Sequence, residues 1–195
     1  MGKVIAFISG KGGTGKTTVV SNLGISLARA GFSVCMVDTD IAMANLSLVL
    51  GMQSSPITLH DVLIGEATIH DTIYDGPEGI KFIPSGLSLD SYRRVDSEKL
   101  AAVINTIKND YDFILLDSPA GIGKDVMASI AASDSSLLVT MPTSPAIAGL
   151  LKAKIVAQRL GNKPIGIIVN FYYGEKGEIQ DTDISKMLEL PVYGV

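Results

Sequence analysis

Runs of valine, isoleucine and leucine recur along the 195-residue chain and alternate with segments in which apolar residues have helical spacing. The runs are predicted to be buried strands at residues 4–8, 33–37, 80–83, 113–116, 137–140 and 165–169. The other segments are predicted to be helices at residues 16–30, 97–108, 124–132, 145–160 and 181–190. This alternation predicts an α/β fold, in which a mainly parallel sheet is covered by helices on both faces.

The residues that follow the predicted strands indicate where a ligand would bind. Glycine, proline or a polar side chain comes just after most of these strands, at Gly10, Asp38, Asp117, Pro142 and Asn170. Parallel strands bring their carboxyl ends to one edge of the sheet, and ligands of open α/β sheets bind beyond those ends. We therefore expect residues that are distant in the sequence to converge at this edge.

Composition restricts the class of protein. Apolar residues make up 47% of the chain and charged residues 18%, which indicates a folded protein with a large core rather than a disordered chain. The length suits a single domain over residues 1–195. Residues 191–195 have strand composition and stop where a connecting loop is expected, which favours a chain truncated at its C-terminus.

Charge and cysteine content exclude several functions. The net charge is −4, so direct nucleic-acid binding is not expected, because phosphate contacts need clustered lysine and arginine. Cys35 is the single cysteine, which excludes an intrachain disulfide and favours a cytoplasmic setting. Residues 181–190 are too acidic for an amphipathic membrane helix, so peripheral attachment at the inner membrane would need other segments or a partner.

A glycine-rich loop before the first predicted helix carries the strongest chemical signal. Residues 10–17 match the phosphate-loop pattern G-x-x-x-x-G-K-[ST] between a strand and a helix. Glycines let successive N–H groups point inward, and the helix adds its positive end. The pattern predicts that ATP is bound by Gly10, Gly12, Gly13, Thr14, Gly15, Lys16, Thr17 and Thr18. The alternative is a glycine-rich turn that only caps a helix.

Two lysines distinguish this loop. Lys16 is predicted to reach the β- and γ-phosphates, and Thr17 to hold Mg²⁺ through its hydroxyl. The stretch GKGGTGKTT resembles the deviant phosphate loop of the MinD/ParA/Mrp class of P-loop NTPases, whose early signature lysine corresponds to Lys11. The resemblance implies an ATP-dependent homodimer in which this lysine reaches the partner's phosphates. A contact with its own nucleotide, or with solvent, is the alternative.

Carboxylates follow two other predicted strands. A cation that bridges phosphates needs oxygen ligands, and hydrolysis needs a group that orients the attacking water. We predict that Asp38 and Asp117 join Thr17 at the metal, and that Asp40 positions the water. The candidate catalytic residues are Lys11, Lys16 and Asp40. Helix capping or loop solvation is the alternative for Asp38 and Asp40.

The resemblance extends over nearly the whole chain. Residues 43–51 and 58–63 are similar to the archaeal MinD-type ATPases. The resemblance implies that the D-x-D sequence begins a first switch segment and that DSPAG forms a second, with Pro119 and Gly121 at the nucleotide and the Gly121 N–H available to the γ-phosphate. It also implies an adenine contact at Asn170, and the alternative is that this residue only ends a strand.

The favoured function is an ATP-hydrolysing dimerisation switch for spatial regulation such as division-site placement. Its ATP hydrolysis is expected to be slow until a protein partner, not yet identified, binds. A metabolic ligase of the dethiobiotin synthetase type has a related loop, but it needs a pocket for a carboxylate substrate. A cluster carrier such as the nitrogenase iron protein needs cysteines that face each other across a dimer, and Cys35 is poorly placed for this. An interaction module stabilised by nucleotide would differ only in lacking turnover.

Overall fold

The structure is a computed structural model in which residues 2–41, 43–52, 55–86 and 96–195 are described. Its strands are β1 (Lys3–Ile8), β2 (Val34–Asp38), β3 (Tyr74–Asp75), β4 (Lys81–Ile83), β5 (Phe113–Asp117), β6 (Ser135–Thr140), β7 (Lys163–Val169) and β8 (Val192–Gly194). Within the described residues they form one sheet in the order β3-β4-β2-β5-β1-β6-β7-β8. β3 is antiparallel to β4, and the other neighbouring strands are parallel. The mainly parallel sheet is therefore confirmed.

Five of the helices between these strands correspond to the five predicted segments. The helices are α1 (Lys16–Arg29), α2 (Leu46–Val49), α3 (Leu59–Ile64), α4 (Leu100–Ile107), α5 (Lys124–Ala131), α6 (Ser144–Arg159) and α7 (Asp181–Leu188). Turns of 3₁₀ helix at Ser97–Lys99 and Lys108–Asp110 flank α4, so the helix predicted over residues 97–108 is α-helical only in its middle. No helix in the described ranges is both long enough and apolar enough to cross a membrane.

The sheet is buried on both faces because alternate residues of its central strands enter two different cores. Val4 and Ile8 of β1 belong to one core, which also contains side chains from α3 to α7. Phe7, on the opposite face of β1, belongs to the other core, with Val20 of α1 and Leu46 of α2. Helices therefore cover both faces of the sheet, as the alternation of strands and helices predicts.

The order of the strands places three functional segments side by side. β5 lies between β2 and β1 in the sheet, so the loops that leave the carboxyl ends of these three strands are neighbours. Asp38 ends β2 and Asp117 ends β5, and the two residues are directly opposite each other in the parallel register. The convergence that was expected at this edge is thus found.

Candidate functional site

A cleft of about 680 Å³ opens at the carboxyl edge of the sheet. It is lined by three segments, which follow β1, β2 and β5. The segment after β1 supplies Ser9, Gly12, Gly13, Thr14, Gly15, Lys16 and Thr17. The other two supply Asp40, Met43, Asn45, Val49, Pro119 and Ala120. Most of the residues predicted to contact phosphate are thereby gathered around one cavity.

The loop between β1 and α1 has the backbone geometry of an anion site. Gly13 and Gly15 have φ angles of 77° and 82°, in the left-handed region that glycine adopts at little cost. Gly15 is also the N-cap of α1, so the partial positive charge of the helix N-terminus lies at the cleft. The hydroxyl of Thr14 is buried without a hydrogen-bond partner among the described residues. Phosphate oxygens would accept hydrogen bonds from this hydroxyl and from the backbone N–H groups of the loop.

Lys16, the first residue of α1, is buried beside the cleft and paired with a carboxylate. Its Nζ atom lies 3.0 Å from Oδ1 of Asp117. The next residue, Thr17, is half-buried and lines the cleft. Three of the predicted residues, a cation, a hydroxyl and a carboxylate, are therefore adjacent in the folded chain.

A magnesium ion would be held here mainly by oxygens other than protein carboxylates. No group of three or more His, Cys, Asp and Glu side chains suited to a metal occurs in the ranges that the structure describes. Magnesium is usually bound by one or two protein oxygens together with substrate phosphates and waters. The Thr17 hydroxyl lines the cleft and suits that pattern, whereas Asp117 is buried against Lys16 outside the cleft lining, so its role at the metal stays a prediction.

Asp38 is a buried anchor for the backbone that follows β2. Its Oδ1 accepts from the N–H of Asp40 at 3.0 Å, and its Oδ2 accepts from the N–H groups of Asn45 and Leu46 at 3.1 and 3.0 Å. Burial, and then the negative charge of Asp117, raise the pKa of Asp38 to about 7. Both carboxylate oxygens thus accept hydrogen bonds from the backbone of the segment before α2. This agrees with a capping role for Asp38, and its role as a metal ligand stays a prediction.

Asp40 lies at the rim of the cleft and is half-buried. Its Oδ1 accepts from the N–H of Met43 at 3.0 Å, and the side-chain amide of Asn45 donates to the carbonyl of Met43 at 2.7 Å. These bonds order the segment between β2 and α2, although residue 42 of that segment lies outside the described residues. Asp40 therefore lines the cleft, and its role in positioning water stays a prediction.

The segment after β5 is hydrogen-bonded to β1 and to Ser9, the residue that follows β1. The N–H of Gly121 donates to the carbonyl of Ser9 at 2.9 Å, and the hydroxyl of Ser118 donates to the carbonyl of Phe7. Pro119 lines the cleft, and its contact with the nucleotide stays a prediction. The Gly121 N–H was expected to be available to a phosphate, but it is already used. A contact between this amide and a phosphate would require the bond to Ser9 to open.

Three predicted residues of the loop do not line the cleft. Gly10 packs closely against Gly149 of α6. A Cβ atom at position 10 would stand only 2.0 Å from the carbonyl carbon of Gly149. Lys11 and Thr18 are exposed and lie outside the cleft lining. Within one chain the cleft is thus formed without Lys11.

Asn170 follows β7 and contacts the glycine loop from the side opposite β5. Its Nδ2 donates to the carbonyl of Thr14 at 3.1 Å, and its backbone N–H donates to the carbonyl of Thr140 at 2.8 Å. A Cβ atom at Gly15 would stand 1.9 Å from the Asn170 Nδ2, so only glycine allows this approach. Asn170 therefore does more than end a strand, and its contact with adenine stays a prediction.

Sequence reasoning missed part of the cleft wall. The missed residues are Ser9, Met43, Asn45, Val49 and Ala120. Each lies within, or within a few residues of, a segment that the motifs identify, so proximity to those motifs could have found them. Gly149 had no such signal, because its role depends on a contact with a distant part of the chain.

Comparison with known proteins agrees with this geometry. A family described as an AAA domain matches residues 2–163. An ATP-binding protein of Methanocaldococcus jannaschii is 45% identical over 195 residues, which are 100% of this chain and 74% of that protein. The septum site-determining protein MinD of Thermotoga maritima is 31% identical over 204 residues, which cover 100% of this chain and 75% of that protein.

A solved structure shows the same fold with a nucleotide. It is the septum site-determining protein MinD of Pyrococcus horikoshii complexed with Mg-ADP, which is 38% identical with a TM-score of 0.94. The match covers 98% of this chain and 79% of that one. With the glycine loop, the buried lysine and the two carboxylate segments in place, these matches show that the chain belongs to the MinD-type family of P-loop ATPases.

Proposed function

We propose that the chain binds Mg-ATP, hydrolyses it, and forms a homodimer in the ATP state. The observation that carries the proposal is the buried pair of Lys16 and Asp117, whose charged atoms are 3.0 Å apart beside an open glycine loop. A cation in this position can turn from a carboxylate to a phosphate over a short distance. The similarity to a MinD structure that contains Mg-ADP supports the same class of ligand.

The glycine loop would bind and orient the phosphates. The amides of Gly12, Gly13 and Gly15, with the Thr14 hydroxyl, would donate to phosphate oxygens, and Lys16 would balance their charge. We assign Thr17 and the Asp117 region to magnesium, with Asp38 as a further candidate. When bound, this ion would supply positive charge that stabilises the phosphates.

Asp40 would position the attacking water, and the segment after β5 would report the state of the nucleotide. Asp40 lines the cleft through a segment whose order depends on the Asp38 anchor. Release of the Gly121 N–H from Ser9 would let this amide turn toward a terminal phosphate, with Pro119 already at the cleft. Hydrolysis would restore the bond to Ser9 and reverse the change.

The exposed Lys11 suits a contact between two chains. It lies outside its own cleft, so a second copy placed face to face could bring this lysine to the phosphates that the first copy holds. Such a dimer would form with ATP and separate after hydrolysis, with slow turnover until a protein partner binds. The likeness to a septum site-determining MinD favours division-site placement as the process.

Calorimetric titration with Mg-ATP tests the binding step. We expect Lys16→Ala to weaken ATP binding by roughly 10- to 100-fold, because a charge-assisted contact to phosphate is lost. Lys152→Ala, which removes an exposed lysine on α6, serves as the matched control and should bind ATP as the parent does. An unchanged affinity in Lys16→Ala would overturn the assignment of the glycine loop.

A further inference from the structure

Phe171, the second residue after β7, has an unusual backbone conformation. Its φ angle is 56°, in the left-handed region that bulky residues rarely adopt. The residue is nevertheless 46% exposed, so burial of the ring does not explain why an aromatic residue occupies this position. Glycine or asparagine would adopt the same backbone with less strain. A strained and exposed aromatic residue is an observation from which a function can be inferred.

The strain persists because both neighbours of Phe171 are fixed. On one side, the backbone N–H of Asn170 donates to the carbonyl of Thr140 at 2.8 Å. On the other side, Tyr172 packs against the core, and its hydroxyl donates to Oε1 of Gln180 at 2.7 Å. The direction of the Cα–Cβ bond of Phe171 is therefore set by the surrounding structure.

The ring lies beside the glycine loop. A Cβ atom placed on Gly15 would stand 3.6 Å from Cε2 of Phe171. In the sheet, β6 and β7 are on one side of β1, whereas β5 and β2 are on the other. Asp40 and Pro119 follow β2 and β5 and line the cleft on the far side from Phe171. A nucleotide whose terminal phosphate lies near Asp40 would extend its base toward β7.

We infer that Phe171 is the stacking platform for the adenine base of the nucleotide. This inference rests on the proposed binding of Mg-ATP, to which it adds a residue that recognises the base. Aromatic rings stack on the face of a nucleobase, and because the backbone is already fixed, binding costs little backbone freedom. Stacking tolerates different bases, so Phe171 favours large purine bases over pyrimidines rather than adenine over guanine.

The first experiment separates the base from the phosphates. Binding of Mg-ATP and of magnesium tripolyphosphate, which has no base, is measured by calorimetry in the parent and in Phe171→Ala. We expect the ATP affinity to fall about tenfold and the tripolyphosphate affinity to stay unchanged. An equal fall for both ligands would mean that the ring acts on the phosphate loop through Gly15, and the inference would be wrong. A parent that bound neither ligand would instead contradict the proposed function.

Two further variants separate the ring from the backbone. Phe171→Gly removes the ring and the strain together, so it should melt about 2–4 °C above Phe171→Ala while losing the same affinity for ATP. Tyr173→Ala removes another exposed aromatic side chain of the same loop, and it should bind ATP like the parent. A Phe171→Gly variant that bound ATP as tightly as the parent would overturn the inference.

A direct optical test is available because the chain has no tryptophan. The Phe171→Trp variant would contain a single indole. Stacking with adenine should quench the fluorescence of this indole, and the ATP affinity should stay within about twofold of the parent value. Tripolyphosphate should bind without this quenching. Equal fluorescence changes with both ligands would contradict a stacking contact.

Discussion

Nζ of Lys16 lies 3.0 Å from Oδ1 of Asp117, and the two side chains are only 10% and 3% exposed. The pair joins the first turn of α1 to the last residue of β5. Asp38 ends the neighbouring strand directly opposite Asp117, so two buried acids lie side by side and the lysine is paired with one of them. Because a buried charge is costly without a partner, this lysine also stabilises the fold before any nucleotide binds.

Lys16→Met should therefore reduce stability in the absence of nucleotide. The substitution leaves the Asp117 carboxylate buried without its cation, and we expect the free energy of unfolding to fall by about 3–5 kcal/mol. Urea denaturation at pH 7 measures the change. Adding Asp117→Asn to this variant should recover part of the loss, because the unpaired charge is then removed.

A matched control for this prediction is the exposed pair of Lys124 and Glu98, which are 3.5 Å apart with side chains 63% and 77% exposed. Lys124→Met should change the free energy of unfolding by less than about 1 kcal/mol. If Lys16→Met were no more harmful than Lys124→Met, the buried pair would have no structural role.

Asp40 can be tested by separating binding from turnover. We expect Asp40→Ala to keep Mg-ATP affinity within a few-fold and to lower the rate of phosphate release by about 100-fold or more, because the group that orients water is lost. The variant should accumulate as an ATP-bound dimer, which light scattering detects. A persistent monomer at high protein and ATP concentrations would contradict the dimer.

The variant Asp40→Asn distinguishes the charge of Asp40 from its structural bond. The amide oxygen of asparagine can still accept from the N–H of Met43, a bond that is 3.0 Å long in the parent. We expect phosphate release to be as slow in Asp40→Asn as in Asp40→Ala. Parental turnover in Asp40→Asn would mean that Asp40 only orders the loop.

Much of the fold can be predicted from the sequence because parallel strands buried on both faces appear as continuous apolar runs. β3 and α2 could not be predicted in this way. β3 has two residues and α2 has four, which is too short for either to show a periodic pattern. They form because of their surroundings: β3 pairs with β4, and the first amide of α2, that of Leu46, donates to Asp38.

The chemistry of the site was predictable only where a local motif defines it. The glycine loop can be identified from consecutive residues, whereas the anchoring role of Asp38 depends on amides seven and eight residues further along the chain. The engagement of the Gly121 N–H with Ser9, and the backbone conformation of Phe171, likewise depend on contacts between segments. Sequence spacing contains no information on such contacts without the folded arrangement.

Asp38 should make stability depend on pH in the absence of nucleotide. Burial and the charge of Asp117 raise the pKa of Asp38 from 3.8 to about 7, so the folded chain holds this proton more tightly than the unfolded chain. The stabilising contribution is complete below pH 3.8 and is lost as the pH rises to about 7. We expect this loss to amount to roughly 4 kcal/mol.

Urea denaturation of the parent and of Asp38→Asn between about pH 4.5 and 8 isolates this effect. Burial lowers the pKa of His60, which makes stability rise with pH below about 6.5, but it does so equally in both proteins. The variant should gain stability relative to the parent as the pH rises. If the difference between the two proteins stayed constant with pH, Asp38 would not titrate in this range.

Gly149 gives the last prediction, because it joins α6 to the glycine loop. A Cβ atom at Gly149 would lie 3.1 Å from the carbonyl carbon and oxygen of Gly10, so the loop must shift by a few tenths of an ångström to accept it. Alanine is favoured over glycine within a helix by about 1 kcal/mol, which offsets part of the strain. We therefore expect the free energy of unfolding of Gly149→Ala to lie within about 1 kcal/mol of the parent value. We expect the variant to bind ATP roughly fivefold more weakly. Urea denaturation and calorimetry measure the two quantities, and an unchanged ATP affinity would show that α6 does not position the loop.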